Sequence, residues 1–285
     1  MFLRMAIALL AAALLTAQQP VGAGLNFYSL QKEAALGEQM AGEVRAQATV
    51  LDSATAQDYL KRLGQRIAAQ LPGPKWAYSF TLVANDEGGS THEPMALPAG
   101  YIFVPAGLVL AARDEGELAG MMAHAMAHAS ERDWTRQATR GELMNISMTA
   151  ASQSAGQSGV NGMTADSLRR STGLQMPAQM LTMARRSHLA ADTVAAKAMA
   201  GAGFDPEALV RYLDREQRDR PGTMAATFSE MPERDARLAA LRAAIKGLRA
   251  SAYAPPNPEF TAFQQEMRQS ASDPPPPPLK RDSRE

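Results

Sequence analysis

Apolar and polar positions along the chain follow two periods, and the switches between them mark out its elements. A helical spacing runs from about Leu30 to Gln47 behind Ser29, a residue type that caps helix N-termini. A second helix is predicted over Ala54 to Gln70, with Tyr59, Leu60, Leu63 and Ile67 on one face, and LPGP at 71–74 ends it. WAYSFTLVAN (76–85) then alternates like a half-buried strand. After the polar loop NDEGGSTHEP comes ALPAGYIFVPAG (96–107), whose short apolar strand Tyr101–Val104 has proline on both sides. Proline cannot donate to a ladder, so this strand is placed at a sheet edge. Asp114 followed by Glu117 reads as a capping box that opens a helix running to about Asp133. Further helices are predicted from about Pro177 to Ala200, from Asp205 and Pro206 onward, and over 232–250.

Three stretches fall outside these periods. Residues 1–23 combine Arg4, an apolar run from Met5 to Leu15, and small residues at Ala17 and Ala23, the layout of a secretory leader. The run is shorter than the ~20 residues of a membrane span, so export with cleavage, to a periplasm, is expected. If the leader stays uncleaved, the chain is membrane-tethered. Residues 149–173 are rich in Ser, Gly, Gln and Ala and read as a mobile connection around a short helix. Residues 251–285, with five consecutive prolines at 274–278, read as a disordered tail that buries no core; a ligand for a proline-recognition module is the sharper alternative. One domain over 24–250 remains.

Composition narrows the chemistry. Twenty-nine basic and 29 acidic residues give zero formal net charge, against the basic excess expected of a nucleic-acid surface. Cysteine is absent, which excludes disulfides, thiolate metal sites and cysteine nucleophiles. Any metal must therefore be held by His, Asp, Glu, Met or backbone oxygen. Thioether and imidazole together suit Cu(I), but the 17 methionines form no Met-x-Met cluster and serve equally as core filler.

The chemistry concentrates in MMAHAMAHAS (121–130). On a helix, His124 and His128 project from one face and can grip one metal ion. Two ordinary surface histidines would look the same in isolation, and the flanking sequence separates the two readings. DEGELAGMMAHAMAHASERD resembles the active-site helix of the CAAX prenyl protease and HtpX metallopeptidases, family 48 of the metallopeptidases, in which one sees AHExxH. ALPAGYIFVPAGL resembles that family's edge strand. LAADTVAAKAMAGAGFDPEAL (189–209) resembles its second motif, a Glu-Ala-Asp triplet followed by G-[YF]-D-P, and NFYSLQKEAALGEQMAGEV and PERDARLAALR resemble its opening and closing helices. These pieces cover roughly 25–250 in the family's order.

The resemblance implies a mostly helical α+β, zincin-like metallopeptidase domain whose small sheet has an edge strand bordering the active-site helix. It implies zinc as the cofactor and polypeptide as the substrate or client. An extended chain is expected to pair along Ala96, Leu97, Pro98, Ala99, Gly100 and Tyr101. Two positions depart from the family. Its general-base glutamate is Ala125 here, and the triplet's glutamate, taken as the third zinc ligand, is Ala190. Asp192 remains, in a role that orients a ligating histidine. With two histidines alone zinc would be held weakly, and a lost proton acceptor costs ~10²–10⁴ in rate.

The expectation is therefore an exported, catalytically degenerate relative that binds extended or unfolded polypeptide in envelope protein quality control. The alternative is an active zinc endopeptidase with a rebuilt metal site and a substitute base. His188 and Asp192 are the substitute donors, being four apart on the helix of the second motif. Position 188 lies about 200° around the helix from 190, so the helix would have to rotate or His188 reach from its side. His92 is a further donor candidate, and the plainer reading makes both His92 and His188 surface polar residues. Glu93, Glu117 and Glu131 are the nearby carboxylates, with Glu117 explained as a cap partner and the others as solvated charges. Neither client nor oligomeric state is legible.

Overall fold

The computed structural model describes residues 24–84, 92–143, 178–219, 232–248 and 257–272, with 253 and 255 between the last two segments. The leader, the 149–173 connection and the prolines at 274–278 lie outside the described residues. In chain order the elements are α1 (Leu30–Gln47), α2 (Ala54–Ala68), β1 (Ser79–Val83), β2 (Met95–Leu97), a 3-10 turn (Pro98–Gly100), β3 (Tyr101–Pro105), α3 (Ala106–Ala111) and α4 (Glu115–Ser130). A helical segment at 133–143 follows, then α5 (Ala178–Gly201), α6 (Glu207–Asp219), α7 (Arg234–Lys246) and α8 (Pro258–Ser272). The architecture is the expected α+β class, mostly helical around one three-stranded sheet.

The helix that carries both histidines is the axis of the core. Residues Glu117 to Ala127 of α4 are all buried, wrapped by α2, α5 and α6 and by the sheet. Small residues permit this. A Cβ on Gly120 would sit 2.9 Å from Leu209 Cβ of α6, closer than packing allows. On α5, Ala191, Ala195 and Ala196 are fully buried and let two backbones approach. The ends of α4 are tied off by polar groups. Asp114 accepts from Glu117 N at 2.9 Å as predicted, while the Glu117 carboxylate accepts from Arg113 N at 2.8 Å and from Arg215 at 2.6 Å. At the other end Trp76 Nε1 and Tyr78 OH donate to the carbonyls of Ala129 and Met126, at 3.1 and 3.2 Å. The Ala129 carbonyl, in the last turn, also accepts from Arg132 N at 3.1 Å, so the indole is its second donor.

Two sequence expectations are corrected here. The strand Tyr101–Pro105 is central, not an edge: the order is β1-β3-β2, with β1 parallel and β2 antiparallel to it. Pro98 lies in the 3-10 turn before the strand and Pro105 is its last residue, so the N–H groups of Tyr101 to Val104 remain available on both sides. The edge that borders α4 is instead the three-residue β2. The second correction concerns the tail. Residues 258–272 form α8, whose Phe260, Phe263 and Met267 are buried in the main core, with the Phe263 ring 4.8 Å from the Tyr59 ring and tilted to it by 34°. Gln264 Nε2 also donates to the carbonyls of Val109 and Ala112 at the end of α3.

The segment Leu97–Gly100 is buried under α1. A Cβ on Gly37 of α1 would come within 2.1 Å of Pro98 O, so only glycine allows this approach. Beneath it, Ala99 and Gly100 take positive φ (60° and 86°) to complete the tight turn. Arg132, also at positive φ (59°), turns the chain between α4 and 133–143 and is held by Glu33 at 2.6 Å and by the Tyr28 carbonyl at 2.6 Å.

Candidate metal centre

α4 presents His124 and His128 to a cleft of about 370 Å³. The opposite walls come from β2 and the residues just before it (Glu93, Pro94, Ala96), from the 133–143 helix (Asp133, Trp134, Gln137), and from α5 (Ala184, Ser187, His188). His188 projects between the two histidines of α4. Its Nδ1 lies 3.2 Å from His128 Nε2 and 3.3 Å from His124 Nε2, and those two atoms are 3.1 Å apart. The His124 and His188 rings are parallel within 3°, while the His128 ring is perpendicular to both. Among the described residues, these three side chains are the set whose donor atoms lie close enough together to share a metal ion.

The surroundings fix what the three nitrogens can be. His128 Nδ1 lies 2.7 Å from Asp133 Oδ2, an oxygen that also accepts from Ser187 Oγ. Asp192 Oδ1 lies 2.7 Å from His124 Nδ1, somewhat off the N–H axis, and both Asp192 oxygens accept from Arg237, at 2.7 and 3.0 Å. A carboxylate can only accept, so each Nδ1 carries the proton and each Nε2 offers a lone pair. Two lone pairs then face each other at 3.1 Å. One proton on His188 could satisfy only one of them. A shared electrophile satisfies all three. The triangle also has the right size: a tetrahedral ion with bonds of about 2.0–2.1 Å, the zinc–nitrogen value, has ligand–ligand edges of about 3.3–3.4 Å. The residues therefore fit a three-histidine metal site.

Burial disfavours a charged imidazole at His124 and His188. Burial pushes the His188 imidazole down to about 2, reinforced by the neighbouring His124 and His128. Burial likewise lowers His124 despite the opposing pull of Asp192. For Asp192, burial alone would raise the pKa, but His124 and Arg237 outweigh it and hold the carboxyl below its ordinary range. Asp133 is also lowered, its hydrogen bond to His128 prevailing over burial. Two carboxylates behind two histidines fix ring orientation and tautomer, as metal sites require.

The sequence-derived site residues fare unevenly. His124, His128 and His188 converge, with Asp192 one layer behind. Ala190, read as the third-ligand position, is exposed and turned away from the cleft, so its lack of a donor removes nothing from the cluster. The helix does have the rotation that brings His188 inward, and the plainer reading of His188 as surface is replaced. Ala125 is buried in the core beside His124 and brings no polar atom. His92 stays outside the cluster, 3.2 Å from Glu216. Glu117 is bound to Arg215, and Glu131 faces Arg136. Met121, Met122 and Met126 are core packing. Of the segment expected to receive a peptide, Ala96 lines the cleft, whereas Leu97, Pro98, Ala99 and Gly100 are buried and Tyr101 is half-buried. Sequence reasoning missed Asp133, Ser187, Trp134 and Arg237. Asp133 had a local signal, since it lies five residues beyond His128 where the helix was expected to end.

Comparison with known proteins places the chain in a family. Residues 54–245, well over half of the chain, match the description Peptidase family M48. The chain belongs to peptidase family M48. It is similar to the beta-barrel assembly-enhancing protease of Yersinia pestis, 25% identical over 197 residues, which make up 66% of this chain and 38% of that protein. A putative beta-barrel assembly-enhancing protease of Vibrio cholerae serotype O1 is 24% identical over 197 residues, again 66% of this chain and 38% of the relative. The match thus spans well under half the length of these relatives. Among the described residues, no helix is long and apolar enough to cross a membrane.

Proposed function

We propose that this M48 protein is an exported zinc-dependent endopeptidase whose metal centre has been rebuilt as three histidines, and that it acts on extended or unfolded polypeptide of the cell envelope. The observation that carries the reading is His188 Nδ1 at 3.2 and 3.3 Å from the two α4 nitrogens, which completes a three-donor set. Zinc bound there supplies Lewis acidity and acidifies a water molecule near neutral pH. With no carboxylate at position 125, His124, His128 and His188 would hold such an ion through neutral imidazoles alone.

The chain's own residues divide the remaining work. Asp192 and Asp133 hold His124 and His128 in the tautomer that offers Nε2. Arg237, fully buried, keeps Asp192 ionised. Ala96 on the edge strand offers backbone pairing to an extended chain. Its carbonyl accepts from Trp134 Nε1 at 2.7 Å, so the indole stands where a peptide N–H would donate. In an antiparallel strand the N–H and C=O of one residue point the same way, so Ala96 N–H also faces this side. Pro94, Ala96 and the exposed Trp134 give the cleft wall apolar surface, which suits unfolded chains. The leader-like residues 1–23 and the names of the relatives support an envelope location and envelope protein substrates.

A non-catalytic peptide-binding relative is the second reading, favoured by Ala125. The test is hydrolysis of a quenched fluorogenic casein by tag-free mature protein with and without stoichiometric zinc, beside His188→Ala. Zinc-dependent cleavage that vanishes in the variant supports the peptidase. Casein binding without cleavage, at full zinc occupancy, supports the binder.

A further inference from the structure

We propose that Glu93 is the proton-accepting carboxylate of this site, in place of the group that Ala125 cannot supply. The inference rests on the zinc-peptidase reading above. α4 has no carboxylate to offer: Glu115 is bonded to Tyr59 and Asn257 at the far end of the helix, and Glu117 to Arg215. Among the described residues two carboxylates line the cleft, Glu93 and Asp133. Asp133 is occupied, accepting from His128 and Ser187. Asp192 lies behind His124 and is taken up by Arg237.

Glu93 differs from all of these. Its side chain is 35% exposed, so water reaches it, yet Oε1 lies 3.8 Å from Arg237 Nη1, a nitrogen that makes no hydrogen bond. That long ion pair anchors the carboxylate without consuming its lone pairs. The same guanidinium holds Asp192, so one buried cation positions both the carboxylate behind His124 and the one at the cleft wall. The cluster of donor atoms within 4.8 Å of one another comprises the three histidines and not Glu93, which suits a proton acceptor rather than a ligand. Pro94 follows it, restricting the Glu93 backbone to extended conformations. Three residues on is Ala96, where an extended chain would pair, and Glu93 and Ala96 line the same cleft as the three histidines.

The step balances without an outside reagent. Water oxygen forms the C–O bond to the scissile carbonyl carbon, whose π electrons move to its oxygen, while Glu93 takes one water proton. As the C–N bond breaks, Glu93 passes that proton to the departing nitrogen and returns to the carboxylate. One water and one peptide bond become one carboxyl and one amine group.

The test uses the full mature chain, zinc-loaded, with Glu93→Gln and Glu93→Asp. Five quantities are read: zinc per chain, melting temperature, casein Kd, kcat and KM. The expected result for Glu93→Gln is unchanged zinc, unchanged melting temperature, KM and Kd within about twofold, and kcat lower by about 10²–10⁴; Glu93→Asp recovers part of the loss. Wild-type kcat in Glu93→Gln overturns the proposal alone. Lost zinc or a lowered melting temperature in Glu93→Gln also overturns it, by making Glu93 a structural partner of Arg237. Wild-type protein that holds zinc and binds casein without cleaving it overturns both this proposal and the peptidase reading. Wild-type protein that takes up no zinc overturns the metal centre itself.

Discussion

His124 and His128 sit one helical turn apart on α4, yet the two halves of the site are built differently. The deep half is His124, only 4% exposed, backed by Asp192 and Arg237, which are essentially fully buried. The shallow half is His128, backed by Asp133 on the next helical segment, and side chains there retain 15% and 17% of their exposure. Deep in the core a carboxylate needs a permanent cation, and Arg237 supplies it. Near the rim, water and Ser187 suffice. The same i,i+4 geometry is therefore held on one side by a fully buried charge pair, and on the other by a partly exposed hydrogen bond.

The largest effect should come from breaking the deep pair. Arg237→Met leaves Asp192 buried without its cation and should cost about 3–5 kcal/mol of unfolding free energy, measured by urea denaturation of the metal-free protein. A loss below about 1 kcal/mol would remove the distinction between the two halves. Next comes Asp133→Asn. It should weaken zinc binding by about 10–100-fold in a competition titration with a chelator, while stability in the absence of metal changes little. Equal loss of stability in both variants would merge the halves into one structural network.

Acidification should act on both halves with the same sign. Buried His188 and His124 are held below their ordinary value of 6.5, so an unfolded chain takes up protons there that the folded chain refuses. Their contribution is present above pH ~6.5 and is lost as pH falls below it towards the folded values. Asp192 and Asp133, lowered from 3.8, contribute above that pH and lose the contribution as pH drops through their folded values. Melting temperature of the metal-free protein should therefore fall steadily from pH 7 to pH 4, and a flat profile would contradict the buried neutral histidines. The smallest effect belongs to the rim. Trp134→Phe removes one exposed indole donor from Ala96 and should change stability by less than about 0.5 kcal/mol, while casein affinity rises as the edge carbonyl is freed.

Legibility in the sequence followed how local each cause was. The start of α1 behind Ser29 and of α4 behind Asp114 could be read because a cap is a contact between near neighbours. The rotation of α5 could not, because it is set by Ala191, Ala195 and Ala196 packing against a distant helix. One signal was present and underused. Once Asp192 is assigned to orient a histidine, the residue one turn earlier on the same face is His188, not Ala190. The central place of β3 was hidden because prolines flank the strand rather than occupy it. α8 was masked by composition, although Phe260, Phe263 and Met267 keep helical spacing within a proline-rich region. Family membership was legible from motif order over most of the domain, and residues 54–245 match it.

The most direct test of the three-histidine centre is the zinc content of mature protein purified without a metal-binding tag, wild type beside His188→Ala. The account predicts about one zinc per chain in the wild type and its loss in the variant, both keeping the same far-ultraviolet circular dichroism. Wild-type protein that takes up no zinc, or a His188→Ala variant that holds zinc as tightly as wild type, would contradict it.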